Sequence, residues 1–266
     1  MFDLVSLESA LAETIFAGKP HFSSITDSTN TDALIAAREG APHGSVYFAD
    51  EQRAGRGRGG HAWHSAAGEG LYVSVLLRPE IPTARLPLLP LIAGLAAADA
   101  IGTASGLNVD LRWPNDLLIG QRKVGGILVE AHSEDSAVGF AVVGIGINVH
   151  QRRFDPDLST AGTSLDVEAG RRIPRQTLLV SLLKSLERET AALADAAAEE
   201  TIPERVKLAS TWVSDRSVEV HGPQACNGVT AGLDRHGFLR VRTDGGIVTV
   251  QTGGIRARET ELRDVD

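Results

Sequence analysis

The chain has 266 residues, of which 42% are hydrophobic and 23% charged, and its formal net charge is −8. This composition is that of a globular protein with a full hydrophobic core, and it excludes an intrinsically disordered chain. The acidic net charge also argues against a protein that binds nucleic acid or an anionic membrane over a large basic surface. Cys226 is the only cysteine, which excludes an intrachain disulfide and a zinc site built on paired thiolates.

The N-terminal sequence lacks the basic, apolar and small-residue order of a signal peptide, so we expect a cytoplasmic protein. Leu4, Leu7, Leu11 and Ile15 recur at helical spacing and predict an amphipathic helix that stops at Gly18. A short strand at 22–26 and an alanine-rich helix ending near residue 40 should follow. Two runs rich in β-formers then predict strands on either side of a glycine-rich loop, at 45–50 and 71–77.

The most apolar region, 86–101, is interrupted by Pro87, Pro90 and Asp99 and falls short of the roughly 20 apolar residues of a membrane span. We expect it to form a buried helix, about 90–103. Alternating apolar residues with turn signals predict four further strands, at 109–113, 117–119, 124–131 and 138–149. Prolines then introduce two helices, one from Pro174 to about Glu200 and one from Pro203 to about Trp212.

From Asp215 onward the pattern changes to short alternating segments between glycine-containing turns, at 217–220, 228–233, 239–242 and 247–251. This pattern predicts a small β barrel that packs on the main sheet. The fold class is therefore α/β: a mixed sheet packed with helices, followed by a small C-terminal β barrel. We place the domains at 1–213 and 214–266.

The segment from Gly55 to Trp63, Gly-Arg-Gly-Arg-Gly-Gly-His-Ala-Trp, is the most informative motif. Glycines let backbone N–H groups turn toward an anion, and each arginine can fork two donors onto a phosphate or carboxylate. A flexible RGG-like element that binds nucleic acid is an equally good interpretation of the loop taken alone. Other motifs have to decide between the two.

Three further motifs are ambiguous one by one. Trp113-Pro114-Asn115-Asp116 is typical of a β-turn, although its carboxylate would also suit Mg²⁺. Lys123-Val124-Gly125-Gly126-Ile127-Leu128 holds either a solvated hairpin lysine or an anion-binding one beside glycines that permit close approach. Gly144-Ile145-Gly146-Ile147-Asn148-Val149 is either a strand with packing glycines or a backbone surface for an adenine ring. It lacks the third glycine and the following helix of a dinucleotide-binding fingerprint.

In their joint order these motifs resemble those of the biotin protein ligases, which attach biotin to carrier domains of biotin-dependent carboxylases. The resemblance spans residues 22–165. The matching pieces are Ser28-Thr29-Asn30, Glu51-Gln52-Arg53-Ala54-Gly55-Arg56-Gly57-Arg58 with Trp63, Trp113-Pro114-Asn115-Asp116, Lys123-Val124-Gly125-Gly126-Ile127-Leu128, Gly144-Ile145-Gly146-Ile147-Asn148-Val149 and Thr163-Ser164-Leu165. The family's architecture, a catalytic α/β domain followed by an SH3-like domain, agrees with the predicted elements.

The resemblance implies roles for individual residues. Ser28, Thr29 and Gln52 would hydrogen-bond the ureido ring of biotin, and Lys123 would hold its carboxylate and then the phosphate. The full biotin-binding set would be Ser28, Thr29, Asn30, Gln52, Gly55, Arg56, Arg58, Trp63, Lys123 and Gly126. The nucleotide-binding set would be Arg56, Arg58, Trp63, Asn115, Lys123 and Asn148. Lys123, Arg58 and Arg56 would be the catalytic cations, and Asp116 would bind Mg²⁺.

The implied reaction has two steps. The biotin carboxylate attacks the α-phosphorus of ATP and gives biotinyl-5′-AMP and pyrophosphate; a lysine of the carrier domain then attacks the mixed anhydride and releases AMP. The family loop often carries further basic residues where this sequence has Gly59 and His61, so the clamp is less charged here. Only about twenty residues precede the first predicted core strand, too few for a winged helix-turn-helix module, and we therefore expect no operator DNA binding. The oligomeric state stays open, with a homodimer among the alternatives.

Two other functions compete. A lipoate protein ligase has a similar fold and uses the same acyl-adenylate logic, but the arginine loop and the Trp-Pro-Asn-Asp motif favour biotin. An RNA-binding module would use the loop as an RGG element. The acidic net charge and the low aromatic content, 5%, count against it.

Overall fold

The structure is a computed structural model that describes residues 2–134 and 137–258. Its larger part is built on one seven-stranded sheet with the strand order β1-β2-β3-β7-β6-β5-β4. β1 runs parallel to β2, and each of the other neighbouring pairs is antiparallel. The strands are β1 (Pro20–Thr26), β2 (Ser45–Gln52), β3 (Gly70–Leu77), β4 (Asp110–Arg112), β5 (Asp116–Ile119), β6 (Arg122–Glu134) and β7 (Ala137–Asn148).

Helices cover both faces of this sheet. On one face α3 packs against α5 over the main apolar core; on the other, α2 covers a small cluster around Ala33, Leu76 and Val142. The helices are α1 (Leu4–Leu11), α2 (Thr29–Arg38), α3 (Leu89–Ser105), α4 (Leu165–Ala169), α5 (Arg175–Ala194) and α6 (Ala198–Leu208).

The predicted burial of the apolar region around α3 is confirmed. Within the described residues, the helical stretch Thr83–Ser105 is long and apolar enough to cross a membrane. Its side chains are instead largely inside the protein: Leu89, Ile92, Ala96 and Ile101 are fully buried. Proline at the second position of α3 and Gly106 in the left-handed region just after it set the two ends of the helix.

The second sheet is antiparallel, with the strand order β11-β10-β9-β8-β12. Four of its strands fall where the sequence predicts them; β12 was not predicted. The strands are β8 (Ser214–His221), β9 (Cys226–Leu233), β10 (Leu239–Thr243), β11 (Gly246–Val250) and β12 (Gly254–Ala257). β8 begins at Ser214, and the domain boundary between 213 and 214 stays a prediction.

This second sheet packs against α6, α3 and the turn that follows β4. α6 touches β9, and the Trp113 indole donates a hydrogen bond to the Gly237 carbonyl, 3.0 Å away. A side chain at Gly237 would lie 2.6 Å from Leu91 in α3. One continuous apolar core joins the two sheets.

The prediction for the two C-terminal helices was partly wrong. Helix α5 ends at Ala194 instead of continuing to Glu200, and Pro203 lies inside α6 instead of starting it. The Asp195 carbonyl accepts from Ala198 N and its carboxylate accepts from Ala197 N, so this residue ends one helix and starts the next. Leu193 and Ala198, on the two sides of this break, are fully buried.

Candidate functional site

The motif residues converge on the α2 side of the main sheet. Gly126, Gly144 and Gly146 share this face of β6 and β7, because Gly126 pairs with Gly146 and successive side chains alternate between faces. A methyl group at Gly144 would meet the Asn30 amide, and one at Gly146 would lie 2.6 Å from the Trp63 indole nitrogen. The glycines therefore form a floor on which side chains from α2 and from the arginine loop rest directly.

A polar network lines the start of α2 above this floor. The Gln52 carbonyl oxygen accepts from the Thr29 backbone N–H (2.9 Å) and hydroxyl (3.1 Å), and the Gln52 amide donates to Ser65 (2.8 Å). The Thr29 and Ser74 hydroxyls lie 2.8 Å apart. Ser28, Thr29 and Asn30 are buried. Four of the predicted biotin-binding residues, Ser28, Thr29, Asn30 and Gln52, are thus brought together; Ser65 and Ser74 were missed because no motif marks them.

The arginine loop, 53–69, connects β2 and β3 as predicted, and it is held as a narrow ladder. Backbone hydrogen bonds link Gln52 N to Ser65 O (3.1 Å), Trp63 N to Gly55 O (2.8 Å) and Gly57 N to His61 O (2.7 Å). A Cβ at Gly55 would lie 2.4 Å from the Trp63 carbonyl. Gly55 is therefore required by the close crossing of the two loop strands.

The two arginines of the loop diverge. Arg56 pairs with Glu130 (2.9 Å), whose carboxylate also accepts from the Asn30 amide (2.8 Å). Arg58 donates to the Asn115 side-chain oxygen (3.2 Å) and to the Gly253 carbonyl of the second sheet (3.0 Å). Arg56 and Arg58 thus stand on different sides of the site, and Glu130 is a site residue that the motifs did not reveal.

Burial lowers the pKa of Arg58, while the charge of Asp116 acts in the opposite direction. A guanidinium still carries its full charge at neutral pH. Arg58 is consequently a partly desolvated cation whose hydrogen-bond partners are neutral carbonyl oxygens. Such a group attracts an anion strongly.

Trp63 lies over the glycine floor beside Lys123. A Cβ at Gly126 would lie 3.4 Å from the Trp63 ring and 3.4 Å from the Lys123 side chain. The Lys123 ammonium is 5.5 Å from the centre of that ring. Within the described part of the chain, the Trp63 indole nitrogen is buried without a hydrogen-bond partner.

Lys123 is the centre of a charged cluster. Its ammonium lies 2.5 Å from Asp116 Oδ1, and Arg112 donates to Asp116 Oδ2 through Nε (3.1 Å) and Nη2 (2.6 Å). Burial alone would raise the pKa of Asp116, but the adjacent Lys123 and Arg112 hold it below its ordinary value. Arg112 is a further residue of this cluster that sequence reasoning missed.

This arrangement does not fit Asp116 as a ligand of a protein-held Mg²⁺, the role that the resemblance implied. Both carboxylate oxygens are already bonded to cations. Across residues 2–134 and 137–258, no group of three His, Cys, Asp or Glu side chains could hold a metal ion.

Asn148 closes the far end of the floor. Its amide donates to the Thr163 carbonyl (3.0 Å), and Thr163 N in turn donates to the Lys123 carbonyl (2.9 Å). The segment around residue 162 therefore lies alongside Lys123, and Lys123 and Gly162 form a parallel β-bridge. The last matching motif, Thr163-Ser164-Leu165, thus borders the same site.

Comparison with known proteins gives a consistent family. The sequence model of the biotin/lipoate A/B protein ligase family matches residues 22–148. The bifunctional ligase/repressor BirA of Escherichia coli is 32% identical over 239 residues, 89% of this chain and 73% of that protein. The biotin–[acetyl-CoA-carboxylase] ligase of Mycobacterium tuberculosis is 34% identical over 86% of this chain and 85% of its own length.

The chain spans about half the length of two relatives from Bacillus. Its match to BirA of Bacillus subtilis, 40% identical over 166 residues, covers 62% of this chain and 51% of that protein. The biotin protein ligase of Aquifex aeolicus, solved in complex with biotin and ATP, superimposes with a TM-score of 0.75 at 28% identity and covers 91% of this chain and 99% of that structure. Fold, site and sequence thus agree: the chain belongs to the biotin protein ligases of the biotin/lipoate A/B protein ligase family.

Proposed function

We propose that this protein attaches biotin to a lysine of a biotin carboxyl carrier domain through biotinyl-5′-AMP. The observation that carries the proposal is the placement of Lys123 and Trp63 over a glycine floor, between the polar network of Thr29 and Gln52 and the cation Arg58. An amphipathic acid with a polar ring head and a carboxylate tail is complementary to such a site.

In this proposal the ureido head of biotin exchanges hydrogen bonds with Ser28, Thr29 and Gln52, which now bond to one another or lie buried beside them. The Lys123 ammonium has three donors and uses one on Asp116, so two remain for a substrate carboxylate. Trp63 covers the ligand, and Asn148 borders the nucleotide. The buried polar groups thereby keep partners in both states.

The proposed chemistry needs no enzyme nucleophile. The biotin carboxylate displaces pyrophosphate from the α-phosphorus of ATP, and Lys123 and Arg58 stabilise the negative charge that grows on the phosphate oxygens. The amine of the carrier lysine then forms an amide at the mixed anhydride, and AMP leaves. Magnesium enters with ATP. The name of the Mycobacterium tuberculosis relative supports acetyl-CoA carboxylase as the source of the carrier.

The test is acyl-adenylate formation without a carrier. The purified protein is incubated with ATP, Mg²⁺ and either biotin or lipoate, and the acyl-AMP is identified by mass spectrometry. We expect biotinyl-AMP from the wild type and none from Lys123→Ala, with Lys184→Ala, an exposed lysine in α5, as the matched control. Formation of lipoyl-AMP in place of biotinyl-AMP would show that the substrate is lipoate. The absence of both acyl-adenylates would overturn the proposed reaction.

A further inference from the structure

The charged cluster behind Lys123 poses an electrostatic problem. Asp116 lies 2.5 Å from the ammonium that the proposed function assigns to a substrate carboxylate. A carboxylate so close would cancel the charge of Lys123 and repel a second carboxylate. A second cation in the cluster has to compensate the negative charge of Asp116 if Lys123 is to attract a substrate carboxylate.

Arg112 has the right position and bonding to do so. Its guanidinium donates two hydrogen bonds to Asp116 Oδ2, while Lys123 contacts the other oxygen, Oδ1. The three groups together carry a net charge of about +1 at neutral pH, and that charge is exposed to a ligand only at Lys123, whose side chain is 29% exposed against 10% for Arg112.

Arg112 is itself held rigidly from behind. Its Nη2 donates to Thr160 (2.9 Å), and its guanidinium lies 5.3 Å from the centre of the Trp212 ring, at the entrance to the second sheet. A guanidinium fixed on three sides keeps Asp116 in one orientation. Asp116 in turn restricts a lysine side chain that has four rotatable bonds and otherwise loses entropy when a ligand orders it.

We propose that Arg112 and Asp116 are positioning residues for Lys123: Asp116 orients the ammonium, and Arg112 neutralises Asp116 so that the ammonium keeps a net charge for an anionic ligand. The inference rests on the proposed function, because it assumes that Lys123 receives the substrate carboxylate. It replaces the metal-binding role of Asp116 with an electrostatic one.

The test compares a charged ligand with a neutral one. Binding of biotin and of biotin amide, which lacks the carboxylate charge, is measured by calorimetry for the wild type and for R112K, R112Q, D116N and R112Q/D116N. R112Q leaves Lys123 and Asp116 with a net charge of zero, so biotin should bind at least about tenfold more weakly while biotin amide changes by less than about twofold. R112K keeps the charge and should stay close to the wild type for biotin.

The double variant decides between charge and packing. R112Q/D116N restores a net charge of +1 and should recover most of the biotin affinity that R112Q loses. D116N should keep biotin affinity at or above the wild-type level but form biotinyl-AMP at least about tenfold more slowly in a single turnover, because Lys123 is no longer oriented. Arg188→Gln, which removes an exposed arginine of α5, is the matched control for both measurements.

Three results would overturn the inference. They are equal weakening of biotin and biotin amide in R112Q, no recovery in the double variant, and an unchanged adenylation rate in D116N. If R112Q does not fold, judged by its thermal unfolding, D116N alone still decides through the ratio of biotin to biotin amide affinity, which should rise. A wild type that binds neither ligand would instead overturn the proposed function, and this inference with it.

Discussion

Arg56 and Arg58 are two residues apart in one loop, and their surroundings give them different properties. Arg56 is half exposed and already paired with the Glu130 carboxylate, so much of its charge is compensated. Arg58 is more deeply buried, and its hydrogen-bond partners among the described residues are the neutral oxygens of Asn115 and Gly253. Of the two cations that the motif predicts to be catalytic, Arg58 is therefore the better placed to hold an adenylate phosphate.

Arg58→Gly should weaken retention of the adenylate more than Arg56→Gly does. Loss of charge-assisted hydrogen bonds from a partly buried arginine costs about 1.5–3 kcal/mol, or roughly a 10- to 100-fold faster release. Released biotinyl-AMP would label lysines of bystander proteins. The measurements are the dissociation rate of biotinyl-AMP and the biotin content of added serum albumin. Equal release from both variants would show that burial does not distinguish the two arginines.

At the residue scale the motifs identified the cations, the amides and Asp116, but not Glu130, the carboxylate that pairs with Arg56. Lys123, Arg58 and Asn115 come together as the resemblance implies. Glu130 meets Arg56 across 74 positions, and Ser74 meets Asn30 across 44. No local spacing encodes such contacts, because the sheet register creates them. The cations beside Asp116 were missed for the same reason: Arg112 and Lys123 become its neighbours only when β4, β5 and β6 pair.

At the scale of elements, β6 and β7 place glycines where the loop must approach the sheet. Gly146→Ala introduces a methyl group 2.6 Å from the Trp63 indole nitrogen, so the indole has to move. We expect biotin affinity to fall at least about tenfold, while the free energy of unfolding falls by only about 1–2 kcal/mol. Calorimetry and urea unfolding give the two numbers, and Gly245→Ala, in an open turn of the second sheet, is the control.

The end of β7 is joined to α4 by a histidine–carboxylate contact. His150 Nδ1 lies 2.8 Å from Asp166 Oδ2, and Asp166 Oδ1 accepts from Ile173 N. Burial lowers the pKa of His150, the positive charges of Arg172 and Arg175 add to the lowering, and Asp166 opposes it. His150 therefore stays neutral in the folded protein at pH values where the unfolded chain binds a proton.

The sign of the pH effect follows from this difference. Below the ordinary histidine pKa of about 6.5 the unfolded state binds more protons, so His150 reduces stability as pH falls from about 7.5 toward its lowered folded pKa. His150→Gln should flatten the dependence of Tm on pH between about 7.5 and 5.5. A steeper slope in His150→Gln would contradict the assignment.

Elements with strong local signals were predicted well, and those created by tertiary contacts were not. The glycine at residue 40 and the runs of β-forming residues placed the end of α2 and the ends of β3 and β7 within a few residues. The break at Asp195 was missed because the surrounding alanines favour a continuous helix, and a single capping residue overrides them. β12 was missed since its four residues form a strand only by pairing with β8.

The two sheets depend on each other at the scale of the whole molecule. Trp113 from the main sheet bonds to Gly237 of the second, Arg58 bonds to Gly253, and Trp212 lies between the guanidiniums of Arg112 and Arg216. The second sheet therefore supports both Arg58 and the cluster behind Lys123. A small sheet of this size gains much of its own stability from the shared core.

Two glycines of the second sheet allow this dependence to be measured. Gly232 and Gly237 have φ values of +88° and +82°, so alanine strains the backbone equally at both positions. Among the described residues no atom lies within 4 Å of a Cβ at Gly232, whereas one at Gly237 lies 2.6 Å from Leu91 and 3.1 Å from Leu88. Gly232→Ala should cost about 1 kcal/mol of unfolding free energy and Gly237→Ala about 1–3 kcal/mol more.

The additional cost in Gly237→Ala arises between the sheets, so it should also reach the site. Movement of Gly237 away from Leu91 pulls on Trp113, and Trp113 immediately precedes the turn that holds Asn115 and Asp116. Urea unfolding followed by tryptophan fluorescence gives the stability, and the rate of biotinyl-AMP formation reports on the site. A Gly237→Ala protein that loses stability but adenylates biotin as fast as Gly232→Ala would show that the second sheet supports the fold without positioning the catalytic groups.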